Sequence, residues 1–162
     1  MTDFQERLRK AVERGQRSRE EKHRAEAAKA LSAEELRGLH TKYRLELSDH
    51  IERCLHEVAD QFPGFRTETL MGEQGWGTAI LRDDVNIRRG DPRRSLYSRL
   101  EVAVMPPSEY HLLDISAKGT VRNKELLRRS HYQDLNDVDL DSFRELIDLW
   151  VLEYAENYAA AD

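Results

Sequence analysis

The sequence predicts an α+β protein: an antiparallel five-stranded meander packed on one face by an N-terminal and a C-terminal helix, preceded by a charged helical arm. Three observations predict it. Residues 33–61 and 139–159 carry apolar side chains at three- and four-residue steps, the pattern of a helix with one buried side. Between them, alternating apolar and polar runs are separated by Gly, Pro and Asn clusters, as in hairpin-linked strands. Ahead of both, residues 3–30 are dense in Glu, Arg, Lys, Ala and Gln.

The arm comes first. Its apolar stripe is thin: Phe4, Leu8, Ala11 and Val12, then nothing larger than alanine until Leu31. A helix so polar is marginal in water without ion pairs or a neighbour. Residues 1–31 therefore read as a solvated or partner-dependent arm, with disorder of its first 25 residues as the alternative, and 32–162 as a single domain. Ser32 and Glu35 fit a capping box, with Leu31 and Leu36 as its hydrophobic staple, so a new helix is expected to start there. Leu36, Leu39, Tyr43, Leu47, Ile51, Cys54, Val58 and Phe62 continue its stripe, and Pro63-Gly64 ends it.

Strands follow. Phe65–Met71 and Trp76–Asp83 flank a Gly72–Gly75 turn, and 83–95 reads as a polar loop broken at Gly90 and Pro92. Residues 96–118 read as a hairpin around a Pro106–Glu109 loop, which sets Val102 opposite Leu113, Leu100 opposite Ile115 and Glu101 opposite Asp114. A fifth strand is expected near 125–132 after a turn at Arg122–Lys124, with its facing open. Asp139 is the expected N-cap of the last helix, with Val138 and Phe143 as its staple.

Charge is split along the chain. The net charge is −5, yet residues 1–30 hold nine Lys/Arg against six Asp/Glu, net +3, which leaves the other 132 residues at −8. A basic arm on an acidic body favours self-association and disfavours nucleic acid as a partner. The single cysteine, Cys54, forbids an internal disulfide and a zinc site built on cysteines. No apolar run reaches the roughly 18 residues of a membrane span, and the first residues have no apolar signal core. The expected location is the cytoplasm.

Candidate binding groups are few. Glu101 and Asp114, set opposite each other with Arg99 and Lys118 nearby, form a sheet-face constellation in which two close carboxylates can hold a cation or share a proton. Against it stands an ordinary solvated charge mosaic, the more economical interpretation. Arg88, Arg89, Arg93 and Arg94 form the densest positive cluster, suited to an anion or an acidic surface, although Asp83, Asp84 and Asp91 partly neutralise it and no aromatic lies among them for base stacking. Trp76 is either a partner-facing aromatic or a core residue. His50 and Cys54 stand at a metal-ligating i,i+4 spacing, but Cys54 also falls in the apolar stripe, where a thiol packs as a small apolar group. Asp137, Asp139, Asp141, Glu145 and Asp148 have calcium-loop spacing, but Ser142 stands where glycine is needed, so helix capping is preferred.

No cofactor, metal site or catalytic set is assigned, and the balance leans away from an enzyme. The expected function is a non-catalytic, self-associating protein-interaction module, adaptor or chaperone-like, with a dimer favoured and a protein partner allowed. One alternative is a small-ligand or metal-dependent domain using the Arg99/Glu101/Asp114/Lys118 face. Another is an anion or nucleic-acid binder using the 88–94 arginines. The layout resembles that of bacterial type III secretion chaperones at the level of fold alone, without a shared residue motif.

Overall fold

The computed structural model describes residues 3–88 and 91–161, with side chains described outside 28–31 and 85–95. Helix α1 runs Asp3–Gln61 and is followed by strands β1 (Arg66–Leu70), β2 (Trp76–Arg88), β3 (Asp91–Val104), β4 (Leu112–Val121) and β5 (Lys124–Asp134). A 3-10 turn, Leu135–Asp137, leads into helix α2, Leu140–Ala160. The strands form one antiparallel sheet in the order β1-β2-β3-β4-β5, the expected meander. The chain divides into two compact units, Met1–Gly38 and Leu39–Asp162, each described by itself.

In the first unit, α1 is exposed at every residue from Asp3 to Ala27. The expected helix start at Ser32 is absent: Ser32 and Glu35 lie inside α1. No proline or glycine interrupts 16–37, and a run of Ala, Glu, Lys and Arg on both sides sustains helix through one serine.

In the second unit, side chains alternate across the sheet. Trp76, Thr78, Ile80, Ser98, Leu100, Val102, Val104, Leu113, Ile115, Ala117, Gly119 and Leu127 share one face through direct cross-strand pairing. The helices pack on that face. Tyr154 of α2 donates its hydroxyl to Thr120 O at 2.9 Å, Phe143 meets the ring of His131, and Phe62 and Phe65 close on Tyr158. Leu47, Ile51 and Leu55 of α1, with Phe143, Ile147 and Tyr154 of α2, complete the core. His40 is buried too, its Nε2 3.2 Å from Met105 O. Burial holds its pKa below the usual histidine value, so it stays neutral and donates to that carbonyl.

Three local expectations are corrected. The described residues of the 83–95 segment are strand, not loop: β2 extends to Arg88 and β3 begins at Asp91, pairing Asn86 with Arg94 and Arg88 with Asp91. Pro92 sits near the start of β3, where a missing N–H is tolerated. The β3–β4 register differs by four residues from the expected one: Val104 faces Ile115, Val102 faces Ala117, and Glu101 faces Lys118 rather than Asp114. The connection is wider than Pro106–Glu109. Met105 N donates to Asp114 O at 2.8 Å, His111 N donates to Ser108 O, and His111 takes a left-handed φ of 53°. An even shift keeps every side chain on its face, so the buried set is as expected although the pairs are not.

The β4–β5 turn is a two-residue hairpin loop in which Arg122 and Asn123 have φ of 47° and 70°, the pair of positive angles that suits strand twist. It docks on β3: Asn123 N donates to Tyr97 O at 2.7 Å, Tyr97 N to Asn123 Oδ1 at 2.9 Å, and Arg122 N to Ser98 Oγ at 2.9 Å. Asp139 caps α2, accepting from Asp141 N at 3.2 Å.

Candidate functional site

Among the described residues of the second unit, two places gather chemistry. The first lies on the sheet face turned away from the helices. Cross-strand pairing sets Arg99 opposite Thr120, Glu101 opposite Lys118, and Lys118 opposite Arg128. A bulge in β5 leaves Leu126 without a partner and returns Glu125 to this face opposite Thr120. Arg99, Glu101, Lys118, Thr120, Glu125 and Arg128 line a polar depression of about 290 Å³. Arg99 is held at 3.0 Å by Glu101 and at 3.7 Å by Glu68. Lys118 and Arg128 also border a second depression of about 230 Å³ with Arg129, Ser116 and Ser130.

Of the expected constellation, Arg99, Glu101 and Lys118 come together. Asp114 does not join them: it faces Tyr132, four residues along β4 from Lys118. The close carboxylate pair, and the cation site built on it, therefore does not form. Among the described residues of this face, the like-charge pair is the cationic one, Lys118 against Arg128. Burial raises the Asp114 carboxyl above its usual pKa, partly offset by His131. His131 itself lies on the helix face, opposite Ile115 and against Phe143. Trp76 is half-buried on that same face, with the Arg44 guanidinium carbon 4.2 Å from its ring centroid. The side chains of Arg88, Arg89, Arg93 and Arg94 lie outside the described residues.

The second place lies between the helices. His50 and Cys54, one turn apart on α1, meet Asp148 from α2. His50 Nε2 is 2.8 Å from Asp148 Oδ1, Cys54 Sγ is 3.4 Å from the same oxygen, and Sγ is 3.6 Å from Nε2. Burial, followed by the hydrogen bond to Asp148 and the negative charges of Asp148 and Glu57, pushes the Cys54 thiol up to about 12. The protonated thiol donates to Asp148 Oδ1. Cys54 and Asp148 also line a groove of about 460 Å³ with Glu57, Val58, Phe62, Val151 and Leu152.

The sequence places His50 and Cys54 on one side of a helix, but nothing local brings Asp148 to them, since it lies 94 residues beyond Cys54. Glu125 and Arg128 were equally hidden, because their facing depends on the bulge.

No family model, curated protein or solved structure matches this chain. Among the described residues no helix is long and apolar enough to cross a membrane.

Proposed function

We propose that this chain is a non-catalytic, self-associating protein-interaction module of adaptor or chaperone-like type, in which a second copy covers the 3–27 segment of α1. One observation carries this reading. Every side chain from Asp3 to Ala27 is exposed, and Phe4, Leu8 and Val12, at four-residue steps along one side, are 73%, 53% and 51% accessible. A polar helix with a thin bare stripe gains little from propensity alone and is stabilised by a neighbour. The net +3 of residues 1–30 against the −8 of the rest adds attraction between copies. A closed dimer is the simplest such assembly. A cytoplasmic setting is part of the same proposal and rests on the sequence alone.

Sedimentation velocity of the full chain tests it. A concentration-dependent dimer is expected, weakened at least tenfold by Leu8→Glu, which places a charge on the stripe. A chain that sediments as a monomer up to high micromolar concentration ends this reading.

A second reading is favoured by Lys118 standing opposite Arg128: the open sheet face holds a small anion. Two cations directly across a ladder repel, and an anion between them removes the penalty. Calorimetric titration with inorganic phosphate tests this reading. Binding is expected to disappear in Arg128→Glu, and absence of heat in the unaltered chain rejects it.

A further inference from the structure

We propose that His50, Cys54 and Asp148 form a binding site for a zinc-class divalent ion that staples α1 to α2 and keeps its fourth coordination position exchangeable. The donor set is one imidazole nitrogen, one sulfur and one carboxylate oxygen, all within 4.8 Å of one another. That mixture suits zinc and its neighbours among the transition metals; calcium and magnesium take oxygen ligands.

The spacing also fits. A tetrahedral ion with bonds of about 2.3 Å to sulfur and about 2.0–2.1 Å to nitrogen and oxygen sets its ligands about 3.6 Å apart across each edge that includes sulfur, and about 3.4 Å across the nitrogen–oxygen edge. The two sulfur edges measure 3.6 Å to His50 and 3.4 Å to Asp148 without adjustment. The nitrogen–oxygen edge is 2.8 Å, the length of a hydrogen bond, and opens by about half an ångström on binding. His50 and Cys54 are fixed by one helix, so only Asp148, whose side chain is 49% exposed, has to move.

The charges balance. Binding uses the Nε2 lone pair of His50, so a proton on Nε2 is displaced to Nδ1 or to the buffer. The Cys54 thiol loses its proton to the buffer, and thiolate and carboxylate together neutralise the divalent ion. Glu57 lines the same groove and adds negative field, while the nearby cation Arg53 is paired with Asp49 at 3.4 Å. Three protein ligands leave one position for water or an anionic ligand, as in zinc sites that remain open. Cys54 and Asp148 belong to the groove wall, so the ion stands at the edge of an apolar recess formed by Val58, Phe62, Val151 and Leu152.

Cobalt(II), titrated into the full chain under a non-chelating reductant, provides the test. The expected result is one ion per chain, an ultraviolet thiolate-to-cobalt charge-transfer band, and loss of that band on adding zinc. Cys54→Ala should abolish the band, and Asp148→Asn should weaken cobalt binding about 100-fold or more. His56→Gln, an exposed histidine a turn and a half beyond His50, should leave both unchanged. Absence of the band in the unaltered chain overturns the proposal, whatever the variants do. An Asp148→Asn variant that stays folded and binds cobalt as tightly as the parent overturns it too.

Discussion

The ring of Tyr154 lies directly on Gly119: a Cβ at residue 119 would stand 2.7 Å from Tyr154 Cδ2, and the Tyr154 hydroxyl donates to the carbonyl of the next residue, Thr120, at 2.9 Å. Helix α2 is seated on β4 through this contact. It exists because one residue lacks a side chain and another carries both a large ring and a polar tip.

Gly119→Ala forces that ring away and should cost about 1–3 kcal/mol. Tyr154→Phe keeps the ring but removes the hydroxyl, and should cost about 1 kcal/mol. Urea unfolding of both variants checks the pair. Equal midpoints for Gly119→Ala and the parent chain would show that α2 is seated elsewhere.

His40 predicts a pH dependence. Burial holds its folded pKa below the ordinary histidine value of 6.5, so on acidification the unfolded chain takes up a proton that the folded chain refuses. Its contribution is therefore constant above pH 6.5 and is lost as pH falls through and below that value. In His40→Gln, which keeps a donor toward Met105 O, the unfolding free energy should fall less steeply between about pH 7 and pH 5 than in the parent. Parallel profiles for the two proteins would remove His40 as the cause.

The Lys118–Arg128 pair predicts a stabilising substitution. Arg128→Glu converts a repulsive cross-strand pair into an attractive one and should raise stability by up to about 1 kcal/mol at low salt. The gain should shrink as salt screens these exposed charges. Thermal melts at two ionic strengths check this; a lowered melting point at low salt would contradict the pairing.

Asn123 predicts a turn effect. Its φ of 70° suits glycine, but its Oδ1 accepts the Tyr97 N–H at 2.9 Å. Asn123→Ala loses both the conformational ease and the acceptor, and should cost about 1–3 kcal/mol. Asn123→Gly keeps the first and loses the second, so it should cost less. The order of the two chemical-denaturation midpoints decides whether backbone strain contributes beyond the lost acceptor.

The helix-to-strand order, the two faces of the sheet and the cap of α2 were determined by the sequence alone, because each follows from a short-range period or a neighbouring side chain. Alternation assigns Leu100, Val102 and Val104 to the core whatever strand lies beside them. The same period says only whether a register is odd or even, so the four-residue slip that parts Glu101 from Asp114 was invisible to it. The continuity of α1 past Ser32 went against a local capping signal, since a capping box stabilises a helix start without requiring one. Only the tertiary structure joined Asp148 to His50 and Cys54, and only the β5 bulge brought Glu125 to the side of Arg128. Both depend on how elements distant in sequence pack, where contact is decided by the summed fit of two surfaces and no single residue announces it.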